Sequence, residues 1–84
     1  MTKESLLKKG FTESPHRVLG AVLTLTIGRN RTLMASSIGT PNEVIFITQK
    51  DHNSGQIDMV CIHNFDYDGP LSENKLDAIV SIFI

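Results

Sequence analysis

The chain has 84 residues, of which 40% are hydrophobic and 20% are charged, and this is the composition of a folded domain and not of a disordered segment. Eight basic and nine acidic side chains give a formal net charge of −1. A general nucleic-acid binder would carry a clear basic excess, so the charge argues against that class. We therefore expect one domain over residues 1–84.

The cysteine content and the length of the apolar runs indicate where in the cell the protein is expected to be. Cys61 is the only cysteine, which excludes an internal disulfide and is typical of proteins in a reducing compartment. The apolar run formed by Leu6 and Leu7 is far too short for a signal peptide, and no run is long enough to span a bilayer. We expect a cytoplasmic protein that does not associate with membranes.

The N-terminal segment predicts a short helix with marked ends. The Thr2 side chain is placed to cap the amide of Ser5. Gly10 suits the left-handed position after a helix, and Phe11 follows where a Schellman-type ending would fold it back on Leu6. Residues 12–15 are predicted to be a connector.

Four strand-like runs then alternate with short polar turns, and a helix ends the chain. The runs cover residues 16–27, 32–38, 43–49 and 56–64. Connections this short require antiparallel neighbours. After them, Ser72 is a cap candidate for an amphipathic helix whose apolar stripe comprises Leu76, Ile79, Val80 and Phe83. The sequence predicts an α+β fold: a four-stranded antiparallel meander sheet with a short N-terminal helix and a C-terminal amphipathic helix.

The third and fourth predicted strands carry apolar residues on both faces. Val44 and Phe46 alternate with Ile45 and Ile47, and the strand at residues 56–64 behaves in the same way. One explanation is that the N-terminal helix covers the second face. Another is that two subunits stack their sheets or share an edge. We favour the second explanation and predict a homo-oligomer.

Two turns carry candidate ligand-binding residues. Arg29 and Arg31 lie on a tight turn, where guanidinium groups can bind phosphate or carboxylate in a bidentate manner, although exposed arginines at turns are commonly only solvated. In the next turn Thr40, Asn42 and Glu43 are candidates for polar contacts with a ligand. A plain turn is the alternative there, because the segment lacks the lysine of a phosphate-binding loop.

Cys61 and His63 are predicted to share one strand face because they are two residues apart. The pair is open to three interpretations: a Cys–His nucleophile, part of a zinc site, or inert core. The remaining histidines, His16 and His52, do not have the spacing of a structural zinc site. We predict no catalytic residue, metal or cofactor, and we keep His63 as a candidate ligand contact.

The segment from Asn64 to Lys75 resembles an EF-hand calcium loop at its first, third, fifth and sixth positions. Its twelfth position holds Lys75 where the calcium loop has a bidentate glutamate, and a strand precedes it. A turn between strand and helix, with Gly69 at positive φ, is therefore the preferred interpretation.

Several strings together resemble a group of short, uncharacterised bacterial and phage or mobile-element proteins. They are Gly-Arg-Asn-Arg at 28–31, Gly-Thr-Pro-Asn-Glu at 39–43 and His-Asn-Phe-Asp-Tyr-Asp-Gly at 63–69, with Lys-Gly-Phe at 9–11 and Pro-His at 15–16. The resemblance covers nearly the whole chain. It implies a small accessory protein, and it implies no mechanism because no activity is assigned to the group.

We expect a small non-catalytic binding module that blocks a host protein or sequesters a small phosphate-bearing ligand such as a nucleotide. The alternatives are a small enzyme that uses Cys61 and His63, and a purely structural oligomeric protein. The candidate ligand contacts are Arg29, Arg31, Thr40, Asn42, Glu43 and His63.

Overall fold

A computed structural model describes residues 1–83 and confirms an α+β fold with an antiparallel sheet, a short N-terminal helix and a C-terminal helix. The elements are α1 (Lys3–Lys8), β1 (Thr12–His16), β2 (Gly20–Gly28), β3 (Arg31–Ser36), β4 (Val44–Lys50), β5 (Ile57–Asn64), α2 (Phe65–Asp68) and α3 (Glu73–Phe83). The sheet has the order β1-β2-β3-β4-β5, so the prediction of four strands was wrong by one.

The additional strand is β1, which occupies the predicted connector. Its residues pair with β2 from Thr12 opposite Thr24 to His16 opposite Gly20. The hairpin turns at residues 17–19. There, His16 Nδ1 accepts hydrogen bonds from the amides of Val18 and Leu19, and Gly20 adopts a φ of 78°. Pro15 is tolerated because β1 is an edge strand, which needs ladder donors on one side only.

The predicted ending of α1 is confirmed. Thr2 accepts a hydrogen bond from the Ser5 amide, and Gly10 has a φ of 103°. The Phe11 amide donates to the Leu6 carbonyl at 3.1 Å, which is the bond of a Schellman motif that joins residues five positions apart. The motif brings both apolar side chains into the core.

Helices α1 and α3 pack on the same face of the sheet, which we call the covered face. This face carries the cross-strand row Leu23, Ala35 and Ile45, and these residues share one core cluster with Leu6 of α1 and Leu76 of α3. The alternative in which the N-terminal helix covers the second face was therefore wrong. None of the helices within residues 1–83 has the length and apolarity needed to cross a lipid bilayer.

The opposite face, which we call the open face, carries the row Thr24, Met34, Phe46 and Cys61. Among the described residues, none of these four belongs to the core cluster that contains the α1 and α3 side chains, although Met34 itself is only 6% exposed. The side chain of Phe83, the last member of the predicted helical stripe, lies outside the described residues. Leu76 and Ile79 of that stripe are buried, as predicted, and Val80 is partly buried.

Candidate functional site

The most unusual side chains in the molecule are a carboxylate and an imidazole in the interior. Glu43, which immediately precedes β4, is 3% exposed, and His63 near the end of β5 is fully buried. His63 reaches this position because it pairs with Ile45 on the covered face. Charged and polar side chains are rarely buried to this degree unless they have partners.

The Glu43 carboxylate has partners on both oxygens. Oε1 accepts a hydrogen bond from the Leu71 amide and lies 3.3 Å from His63 Nε2. Oε2 accepts from the Gly39 amide at 3.0 Å. Because an ionised carboxylate can only accept, the His63 Nε2 atom carries the hydrogen in this pair. Glu43 thereby joins the β3–β4 loop to the segment before α3, and its own carbonyl accepts from the Phe65 amide at 3.2 Å.

The second ring nitrogen of His63 has no hydrogen-bond partner among the described residues. Asp68 is the nearest carboxylate, with Oδ2 3.9 Å from His63 Nδ1, which is beyond hydrogen-bond distance. That same oxygen accepts from the Asn64 amide at 2.9 Å, and Lys75 Nζ lies 3.5 Å from Asp68 Oδ1. The arrangement from Glu43 to Lys75 therefore clamps the loops at one end of the sheet, and its centre is closed to solvent.

Hydrogen bonds set the ionisation of Glu43. Burial by itself would raise the pKa of this carboxyl, but the amides of Leu71 and Gly39 and the His63 ring together hold the pKa below its usual value of 4.5. A bond from the Asn64 amide likewise lowers the pKa of Asp68. Both groups therefore favour the charged form in the folded protein.

Acidification is expected to destabilise the protein through Glu43. Because its pKa is lower folded than unfolded, its contribution is complete above the unfolded value and is lost as the pH falls through the folded pKa. The urea midpoint should therefore fall when the pH is lowered from about 6 to about 3. In Glu43→Gln this fall should be smaller. An equal fall in both proteins would contradict the assignment.

Cys61 and His63 lie on opposite faces of the sheet, so the prediction that they share one face was wrong. Cys61 pairs with Phe46 and His63 pairs with Ile45, which leaves Ile62 as a bulge between them. One additional residue reverses the side-chain alternation after it. The exposed thiol Sγ instead donates to the His63 carbonyl at 3.3 Å. A thiolate at Cys61 would have no access to the buried imidazole.

The six candidate ligand contacts are divided between two ends of the sheet. Arg29 and Arg31 lie at the β2–β3 turn, whereas the other four, Thr40, Asn42, Glu43 and His63, lie at the opposite end. β3, which joins the two ends, is about 17 Å long from Arg31 to Ser36. Thr40 Oγ1 donates to the Ser37 carbonyl and accepts from the Asn42 amide, so it stabilises its own loop. A small ligand can therefore reach only one of these two groups.

A polar cleft of about 350 Å³ lies beside Arg29. It forms where the β2–β3 turn meets the β4–β5 loop, which the Lys50 amide joins by a 2.9 Å bond to the Asn30 carbonyl. Within residues 1–83 neither Arg29 nor Lys50 forms an ion pair. The remaining lining residues include His52, Asn53, Asp51 and Asp58. A meander places the β2–β3 turn and the β4–β5 loop at the same end of the sheet, and the pairing of β4 with β3 brings their side chains together.

The segment after β5 forms a turn and a short helix. Asn64 Oδ1 accepts from the Asp66 amide, and Gly69 has a φ of 74°, as the sequence predicted.

No group of three or more His, Cys, Asp or Glu side chains in the described residues is arranged to hold a metal ion.

Comparison of the chain with protein-family models, curated proteins and solved structures gives no match.

Proposed function

We propose that this protein is a small non-catalytic binding module that joins another polypeptide through the exposed part of β5. The observation that carries the proposal is the exposure of every residue from Ile57 to Cys61 on an edge strand. Three of these side chains are large and apolar: Ile57, Met59 and Val60 are 60%, 48% and 59% exposed. Exposed apolar surface of this kind marks interaction sites.

An edge strand binds a polypeptide by adding a strand to the sheet. The unpaired amides and carbonyls supply main-chain hydrogen bonds, and the alternating side chains supply selectivity. β5 pairs with β4 on one side only. The adjoining open face, with Phe46 half-buried next to Cys61, extends the apolar surface beyond the strand.

The enzyme alternative has less support. It depends on Cys61 acting with His63, and these side chains occupy opposite faces. The His63 ring already contacts the Glu43 carboxylate, and this contact holds the imidazole in the interior between the loops. A binding role requires no such constellation and is consistent with the accessory role in a phage or mobile element that the sequence strings imply. The polypeptide that it binds is then a host protein or a second copy of the chain.

Photo-crosslinking tests the binding surface. With benzoylphenylalanine in place of Ile57, irradiation of bacterial cells that produce the protein should yield a discrete adduct containing a second polypeptide. The same residue in place of Val18, which is exposed in the β1–β2 hairpin far from β5, is the matched control and should yield none. Equal or absent crosslinking at both positions would refute β5 as the binding surface.

The polar cleft supports a second candidate, the sequestration of a phosphate-bearing ligand. Arg29 and Lys50 supply two cationic groups free of ion pairs in the described chain, and guanidinium and ammonium groups both bind phosphate. Asp51, Asp58 and Asn53 also line the cleft, and they suit the hydroxyl and amino groups of a nucleotide better than they suit free phosphate.

ATP and inorganic phosphate are suitable probes for this cleft. If the cleft binds nucleotides, ATP should raise the melting temperature and Arg29→Ala should abolish the increase, because ligand binding stabilises the folded state by mass action. Arg17→Ala is the control, since Arg17 is exposed at the opposite end of the sheet. An unchanged ATP effect in Arg29→Ala would exclude this cleft as the nucleotide site.

A further inference from the structure

We infer that the polypeptide bound by β5 is a second copy of this chain, joined by antiparallel pairing of β5 with β5 about a two-fold axis at Met59. The inference rests on the proposed function, because it names the partner of the same surface. It predicts a continuous ten-stranded sheet, in which each copy contributes the five strands of its own meander.

The two edges of the sheet differ in a way that selects β5. The β1 edge contains Pro15 and the charged Glu13, which pairs with Lys3 of α1. Proline and charged side chains are the features by which natural edge strands avoid pairing with other chains. The exposed run Ile57–Cys61 contains no proline and only one charged residue, Asp58. β5 is therefore the less protected of the two edges over residues 57–61.

The position of that single charge makes the run complementary to itself. With the axis at Met59, antiparallel pairing sets Asp58 opposite Val60 of the second copy and Ile57 opposite Cys61 of the second copy. An axis at Asp58 would place two carboxylates directly opposite each other, which is destabilising. An axis nearer the end of β5 would run into the bulge at Ile62. The Met59 axis pairs all five exposed residues without either problem.

This register also continues the apolar row of the open face. Met34, Phe46 and Cys61 lie side by side on β3, β4 and β5. Ile57 of the second copy would be the next residue in that row, and the two Met59 side chains would meet at the axis. The pairing would thus bury part of the exposed surface of Ile57 and Met59 along the β5 edge.

The size of the contact indicates its strength. A standard stable interface takes about 20–30 residues from each partner. Five paired residues with their neighbours on β4 form a smaller contact. The net charge of −1 per chain adds little repulsion between copies. We therefore expect a dimer that forms at micromolar concentrations and dissociates on dilution.

Sedimentation equilibrium of the full chain tests the dimer. From submicromolar to submillimolar concentration, the apparent mass should rise from one chain to two. Met59→Lys should raise the dissociation constant at least tenfold, because two ammonium groups would meet at the axis. Val18→Lys introduces the same charge at another exposed apolar position and should leave the constant unchanged. Circular dichroism should show that both variants fold, since both side chains are exposed.

Single-cysteine variants test the register. Opposed residues of an antiparallel pair have Cα atoms about 4.5–5.5 Å apart, which is within the range of a disulfide. Met59→Cys with Cys61→Ser should therefore give a disulfide-linked dimer under mild oxidation. Val60→Cys with Cys61→Ser should not, because the two Val60 positions lie on a diagonal of about 7–8 Å. Equal linkage in both variants would overturn the register.

The outcomes separate the inference from the proposed function. A chain that remains monomeric at submillimolar concentration overturns the second copy as partner. If the benzoylphenylalanine adduct at position 57 then has a mass other than that of two chains, β5 binds a different polypeptide and the binding function stands. A monomeric chain without an adduct overturns both. An adduct with the mass of two chains, together with a concentration-dependent dimer, supports both.

Discussion

Replacing Glu43 with alanine is expected to lower the free energy of unfolding by about 3–5 kcal/mol, because it leaves two buried donors and one part-buried donor without an acceptor. The substitution would leave the amides of Leu71 and Gly39 and the Nε2 atom of His63 without their acceptor. Each unsatisfied buried group costs about 1–3 kcal/mol. For a domain with a total stability of about 5–15 kcal/mol, this is a large fraction.

Equilibrium urea denaturation measures this loss in the free energy of unfolding. Two other substitutions show whether the loss comes from the hydrogen bonds of the Glu43 carboxylate. Glu43→Gln keeps the size of the side chain but leaves one oxygen for two amide donors, so its effect should be intermediate. Glu13→Gln removes a carboxylate that pairs with Lys3 on the surface and should have a much smaller effect, because exposed ion pairs contribute little to stability. If Glu43→Ala lowered the free energy of unfolding as little as Glu13→Gln does, the Glu43 carboxylate would not be what holds these loops together.

Local rules predicted the ends of elements well. The Thr2 cap, the left-handed Gly10 and the Phe11–Leu6 bond each depend on residues within one turn of the chain, so the sequence is sufficient to predict them. The positive φ of Gly69 was predictable for the same reason. Such features require no knowledge of the rest of the fold.

β1 and the bulge at Ile62 were not predictable in this way. Residues 12–16 have no apolar alternation, and they form a strand because the ladder of β2 is available beside them. Nothing in the order Cys61-Ile62-His63 marks the middle residue as unpaired. The burial of His63 follows from the bulge, and so does its contact with Glu43, which lies twenty positions earlier in the sequence.

The division of the candidate ligand contacts between two ends was, by contrast, available from topology. Successive connections of a meander lie at alternating ends of the sheet, so a β2–β3 turn and a β3–β4 loop cannot meet. The same rule places the turn of Arg29 beside the β4–β5 loop that begins after Lys50. The predicted meander therefore already implied that Arg29 and Asn42 would not share a small ligand.

The dependence of α3 on the sheet gives the second large expected effect. α3 has eleven residues, and isolated helices shorter than about 12–15 residues are marginal in water. Its stability must therefore come from packing, chiefly through Leu76, which is fully buried in the core cluster with Leu33 and Ile45. Leu76→Ala should lower the free energy of unfolding by about 2–5 kcal/mol through loss of contacts and a residual cavity.

Ile82 provides the matched control for Leu76 because it lies on the same helix and is 74% exposed. Ile82→Ala should change the free energy of unfolding by less than about 0.5 kcal/mol. Helix propensity cannot explain a large difference, since leucine and alanine are both good helix formers. Because self-association would stabilise the folded state at high concentration, the urea midpoints should be compared at one low protein concentration. Equal losses in the two variants would mean that α3 is not held to the sheet through Leu76.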